Sequence, residues 1–426
     1  MKAPKPAPLL LRNVRTAWGA APVDLVVADG AVADLVPAGT GVAAEGVVVE
    51  DGGGALVLPA LVDAHCHVDK SLWGRPWVPH SAGPALADRI ANGESRRAEL
   101  GLPDPASAQA LLAQMVAQGT TAIRTHTDVD PQVGLAGLEA VAEAAAGMGG
   151  AIDVQQVAFP QGGLLMRPGT SELLREALAT GLADCVGGLD PAAVDRDAVR
   201  HLDLVFGLAA EHGARLDIHL HERGTLGAHT MELVIERTER HGLQGRVALS
   251  HAVAIVDVER PHGDRLAAGL AEHDIALVTA TVYNTPVLPL GWLAGHGVTV
   301  AAGNDGIRDL WGPYGTGDML ERAFLMAYRN GFRRDDEIEA ALDAVVRGGA
   351  RVLGRPEGRV SVGGAADLVL VDASGVAEAV AVRPPRRLVV KGGRVVARAG
   401  MGAVPVAAAG HAATDAGGAE PAAPGR

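Results

Sequence analysis

The sequence predicts an α/β protein: a (β/α)8 barrel of the TIM type with a small composite β domain formed by the N- and C-terminal segments. Three observations carry this reading. Short apolar runs recur along the middle of the chain, and several stop at a histidine or an aspartate. The intervals between these stops fit multiples of one strand-helix unit, which takes roughly 30 or more residues. Both chain ends carry short β-type runs outside that period.

The elements follow in order. Residues 1–58 form the first part of the small β domain, with strands over 9–14 and 23–28 and a hairpin turn at Asp29-Gly30. The apolar run 55–64 leads into His65-Cys66-His67 as the first barrel strand. A strand alternates its faces, so His65 and His67 aim at one spot while Cys66 packs on the other side. Residues 120–125, 152–158 and 184–189 supply the second to fourth strands. The fifth, 215–219, ends at His219, and the sixth, 246–251, ends at His251. The seventh covers 275–280, and the eighth, 298–305, ends at Asp305. The spacings agree: 152 residues from His67 to His219 hold four units, 32 to His251 hold one, and 54 more to Asp305 hold two. Stretches with helical periodicity, such as 138–145 and 319–326, lie between strands. The barrel takes 59–357. Runs at 366–371 and 387–397 place the rest of the small β domain at 358–402, paired with the N-terminal segment into one sheet. Residues 403–426 are rich in Ala, Gly and Pro without periodicity and are read as a disordered tail.

Barrel enzymes carry their chemistry at the C-terminal strand ends. His65, His67, His219 and Asp305 all fall there, on the first, fifth and eighth strands, with His251 on the sixth. Neutral imidazoles and a carboxylate suit one divalent metal ion: zinc or iron first, manganese or cobalt also by ligand type. A metal so held keeps a position for water and lowers its pKa towards neutrality.

Composition bounds the rest. The chain has 426 residues, 48% hydrophobic, and a net charge of −13. With no basic run, nucleic acid and anionic membranes are not expected partners. No apolar run is long enough for a spanning helix. Two lone thiols, Cys66 and Cys185, suit a reducing cytoplasm, where a homo-oligomer is expected.

The order H-x-H, His, His, Asp resembles the amidohydrolase superfamily, and the closer resemblance is to its cytosine deaminase-like branch. It covers nearly the whole chain. It rests on Arg124-Thr-His-Thr-Asp-Val129, Val157-Ala-Phe-Pro-Gln161, His219-Leu-His-Glu222 and Asp309-Leu-Trp-Gly-Pro-Tyr-Gly-Thr316. The opening His65-Cys-His-Val-Asp-Lys-Ser71 is also similar to isopropylammelide-type triazine aminohydrolases. Binuclear relatives bridge two metals with a carboxylated lysine on a middle strand. Here the lysines are Lys2, Lys5, Lys70 and Lys391, so a mononuclear site is implied.

The resemblance also assigns roles. His251 and Asp305 orient the water and take its proton. Glu222, three residues after His219, protonates the ring and the leaving amine. Gln161 reads the ring edge. By residue chemistry alone, Trp311 and Phe159 are candidates for flat apolar walls, with core packing as the alternative. Asp69 and Lys70 either position the metal ligands or form a salt-bridged turn; His126 and His221 are read as structural. One departure stands out. The cytosine deaminases carry a second aspartate directly after the metal aspartate, and here that position is Gly306, which implies a lost charge, extra room and a substrate bulkier than cytosine.

The implied function is hydrolytic removal of ammonia or an amine from a small N-heterocycle. Hydrolysis of a cyclic or acyl amide by the same site is the alternative, and an inactive scaffold or binding protein the remote one.

Overall fold

The computed structural model describes residues 7–399 and 401–402. Five strands precede the barrel: β1 (Leu9–Val14), β2 (Val23–Ala28), β3 (Ala31–Pro37), β4 (Val48–Asp51) and β5 (Leu56–Pro59). Eight build it: β6 (Leu61–Cys66), β7 (Thr120–Asp128), β8 (Asp153–Phe159), β9 (Cys185–Leu189), β10 (Arg215–Leu220), β11 (Val247–His251), β12 (Ala276–Thr279) and β13 (Val300–Ala302). Four follow: β14 (Leu368–Val371), β15 (Arg386–Lys391), β16 (Arg394–Arg398) and β17 (Met401–Gly402). The expected tail, 403–426, lies outside the described residues.

The composite domain departs from the expected single sheet. It is two sheets, β3-β2-β1-β4 and β17-β16-β15-β14-β5. Leu9, Leu11, Leu25 and Val27 of the first pack with Val57, Leu368, Leu370 and Val390 of the second. Each sheet has one apolar face, and stacking the two faces buries both. The apolar run 55–64 divides accordingly. Its first part, β5, pairs antiparallel with β14, Leu58 opposite Val369. Ala60 N–H then donates to Asp367 O, and Leu61 N–H to Gly119 O, so the chain passes from one sheet to the next within two residues.

β6 to β13 lie side by side in chain order, each pair parallel. Asp305 N–H donates 2.9 Å to His65 O, bringing the far edge back onto β6. At the N-terminal end the interior is filled by Val62, Ala64, Ala122, Ala248, Ala276, Val278 and Ala301, plugged by Val352 and Leu353. Above them sits a buried ion pair, Arg124 Nη1 to Asp217 Oδ2 at 2.8 Å, with side-chain exposures of 1% and 0%. Arg124 Nη2 also donates to Val352 O and Nε to Gln155 Oε1. Removing one partner leaves a buried charge uncompensated. Asp217→Ala is therefore expected to destabilise the fold by about 3–5 kcal/mol, read as a lower urea midpoint at unchanged slope. A change under about 1 kcal/mol would show the pair to be incidental.

Candidate active site

Neighbouring strands deliver the expected ligands to one place. On β6 the register with β7 slips between Asp63 and Cys66. Such bulges re-aim side chains beside active sites. Here the inward face passes from Val62 and Ala64 to His65 and His67. Cys66 is buried on the other side, its Sγ 3.4 Å from Arg124 O. Asp305 lies past the end of β13, at φ +62. The preceding loop touches His65 closely: a Cβ on Gly303 would lie 2.3 Å from His65 O, so glycine alone fits there.

Ring centroids of His65 stand 5.3 Å from His67, 4.5 Å from His219 and 5.0 Å from His251. Asp305 Oδ1 is 3.3 Å from His67 Nε2 and 3.7 Å from His65 Nε2. His65 with His67 and Asp305, His65 with His219 and His251, and His65 with His126 and Asp217 form three overlapping groups able to hold a metal. The tautomers are set from behind. His65 Nδ1 is 2.8 Å from Ser250 Oγ, which donates to Asp217 Oδ1, and His67 Nδ1 donates to His126 O at 2.9 Å. Both leave Nε2 free as a lone-pair donor. His65 Nε2 and both His219 nitrogens are buried with no hydrogen-bond partner among the described residues. Buried nitrogens rarely stay unpaired without a reason, and a cation supplies one here. Burial lowers the His67 pKa to about 4, keeping it neutral as a ligand must be. Burial alone would raise Asp305, but its contacts with His65 and His67 hold it well below the usual carboxylate range.

A cavity of about 330 Å³ opens above this cluster. His67, His219, His251 and Asp305 reach it, with Gln161, Trp311 and Gly306 as expected. Lys70 is there too. Its Nζ donates to Gln161 Oε1 at 2.9 Å and to Asp128 Oδ1 at 2.7 Å, and it stands 5.5 Å over the Trp311 ring. Burial lowers its pKa, but Asp128 and Asp69 more than offset this, so it stays cationic. Asp69 does not line the cavity; it accepts from Asp128 N–H.

Two expected wall and acid residues sit elsewhere. Phe159 is fully buried and stacked on the His219 ring, 4.1 Å away at 27°, so it buttresses that imidazole and is absent from the cavity lining. Glu222 is turned from the cavity. Its Oε1 accepts from Ala192 and Ala193 N–H, at 2.7 and 2.9 Å, and Oε2 from Thr230 Oγ1 at 2.5 Å. Three donors occupy both oxygens, which ties the loop after β9 to the loop after β10.

His221, the residue before Glu222, faces the cavity instead. It lines the cavity and stacks on His251, 4.4 Å away at 25°. Asp190 holds its Nδ1 at 2.9 Å, leaving Nε2 open. Burial alone would lower the His221 pKa, but its hydrogen bond to Asp190 and that carboxylate's charge outweigh this and raise it, while burial and the neighbouring His221 charge push His251 well down. The signal was available: His219-x-His221 repeats the spacing of His65-x-His67. His126 is buried beneath the cluster, Nε2 3.4 Å from Asp217 Oδ1. Arg89 and Tyr283 also line the cavity and carried no sequence signal.

Gly306 does not leave the extra room expected of it. A Cβ there would lie 2.3 Å from Asp309 Oδ2, so the space holds another carboxylate.

A parallel barrel with a His/Asp metal-type cluster at its C-terminal rim defines a metal-assisted hydrolase. The chain belongs to the amidohydrolase family, whose profile matches residues 104–397. N-isopropylammelide isopropyl amidohydrolase of Pseudomonas sp. (strain ADP) is 31% identical over 367 residues, 83% of this chain and 89% of that one. The crystal structure of N-isopropylammelide isopropylaminohydrolase from Burkholderia multivorans ATCC 17616 is 45% identical, with a TM-score of 0.88 over 93% of this chain and 100% of that one. That of 5-methylcytosine deaminase from Klebsiella pneumoniae is 25% identical, with a TM-score of 0.77 over 92% and 98%. Among the described residues no helix is long and apolar enough to cross a membrane.

Proposed function

We propose that this chain hydrolyses the exocyclic C–N bond of an N-substituted amino-heterocycle, releasing an amine and leaving a ring carbonyl. The observation that carries the reading is the set of unpaired buried nitrogens of His219, which lines the cavity, and of His65 behind it, beside Asp305, with Gln161, Lys70 and Trp311 among the cavity walls. The likeness to two isopropylammelide hydrolases supports an alkylamino-triazine over a free nucleobase.

One divalent cation, zinc or iron by ligand type, with manganese or cobalt as further candidates, would be held by His65, His67, His219 and Asp305. When bound, it polarises a water to give a nucleophile at neutral pH. Neutral His251 accepts the water's proton as its oxygen joins the ring carbon. His221, oriented by Asp190, delivers a proton from Nε2 to the departing amine nitrogen. Gln161 and Lys70 donate to ring oxygens or nitrogens, and Trp311 forms a flat apolar wall. The partner is thus a small molecule, and the two free buried cysteines, Cys66 and Cys185, fit a cytoplasmic setting.

The test incubates metal-loaded protein with N-isopropylammelide, cytosine and a pterin, with products read by mass spectrometry. Free isopropylamine plus an intact ring is expected, abolished by chelation and restored by zinc. A new carboxylate from ring opening would instead establish the cyclic-amide alternative, and no turnover of any ring would overturn the reading.

A further inference from the structure

Asp309 is a carboxylate with one oxygen satisfied and one idle. Its Oδ1 accepts from Trp311 N–H at 2.8 Å and Gly312 N–H at 3.0 Å. Its backbone is pinned as well, N–H to Gly312 O and carbonyl to His80 Nε2. The residue is 1% exposed, and Oδ2 is buried with no hydrogen-bond partner among the described residues. A buried charged oxygen left unpaired is costly, so such an atom marks a place where a partner arrives later.

The partner's direction follows from Gly306. Its φ is not in the left-handed region, so the backbone there accepts any residue. Glycine is needed for space: a Cβ would come within 2.3 Å of Oδ2 and 3.0 Å of Oδ1. Gly306 and Asp309 both line the cavity, together with Lys70, Gln161 and Trp311. Lys70 favours the ionised carboxyl, although burial pushes it up to about 6. The cavity thus has donors at Lys70 and Gln161 and, buried in its Asp309 wall, an unpaired carboxylate oxygen.

We propose that Asp309 is the recognition carboxylate of this cavity, its Oδ2, which the lack of a side chain at Gly306 lets sit against that backbone, accepting a hydrogen bond from a ring N–H of the bound heterocycle. This rests on the heterocycle reading above. A site built to accept from N–H discriminates against rings that lack it.

The probes are cyanuric acid, which has three ring N–H groups and no leaving amine, and its N,N′,N″-trimethyl derivative, which has none. Calorimetric titration into the zinc-loaded protein is expected to show binding of the first and at least ~30-fold weaker binding of the second. Asp309→Asn keeps an oxygen for the Trp311 and Gly312 amides, so metal content and Tm stay as in the wild type. It presents NH2 to the ring, and cyanuric acid affinity should fall ~30-fold or more. Gly306→Asp/Asp309→Ala, which returns a carboxylate from the other side of the same space, should recover much of what Asp309→Ala loses. Unchanged cyanuric acid affinity in Asp309→Asn overturns the proposal, as does a loss matched by falling metal content or Tm. So does equal binding of the two probes, or binding of neither. If these affinities behave as expected while no amine is released from any ring, the proposal stands and the hydrolase reading fails. Amine release by the wild type, with cyanuric acid affinity unchanged in Asp309→Asn, upholds the hydrolase reading and sinks the proposal.

Discussion

Asp305→Asn is expected to leave a folded barrel that no longer retains a divalent cation. The backbone N–H of residue 305 still reaches His65 O, so the closing contact between the last strand and the first survives. What disappears is the only carboxylate in the cluster it forms with His65 and His67. Three neutral imidazoles then face a doubly charged ion in a buried place with no compensating charge. Even partners one step removed from a metal typically cost 10–100-fold in affinity, so loss of the ligand itself should exceed ~100-fold. Elemental analysis of purified protein should show about one metal per chain in the wild type and almost none in the variant, with Tm read in metal-free buffer unchanged. Two metals per wild-type chain would defeat the mononuclear assignment, and full occupancy in Asp305→Asn would remove the aspartate from the ligand set.

The second large effect separates His221 from Glu222. His221→Gln and His251→Gln should each lower kcat by ~10²–10⁴-fold, the usual worth of a general acid or base, with metal content retained. Glu222→Gln should keep more than a tenth of wild-type activity. A glutamine oxygen can still accept from Ala192 and Ala193 N–H, and its NH2 can face Thr230 Oγ1, which already has Leu226 O as a second acceptor. If Glu222→Gln loses as much activity as the histidine variants while its Tm holds, the carboxylate swings into the cavity during turnover and is the acid after all.

Much of this architecture was legible. β1 and β2 fall on the predicted bounds because each is a short, mostly apolar run whose residues are largely buried. The barrel strands lie where the repeat places them because each buried strand needs a short apolar run. β3 and β4 were not legible. Their burial is fragmentary, and β4 keeps mostly exposed residues, so no periodic signal forms. The run 55–64 reads as one strand because hydropathy does not register which sheet a backbone pairs with.

The metal-type cluster was legible because its signal is local: an imidazole or carboxylate at the end of an apolar run, repeated at one spacing. Its surroundings were not. Phe159 stacks on His219, Glu222 caps amides thirty residues earlier, and Asp309 fills the space above Gly306. Each outcome turns on a side chain's choice between two neighbours a few ångströms apart. The sequence by itself determined the barrel, its rim and the residues able to hold a metal, because strand period and residue chemistry are properties of single segments. Only the tertiary structure decided which carboxylates face the cavity, because hydrogen-bond donors brought from distant segments compete for each oxygen.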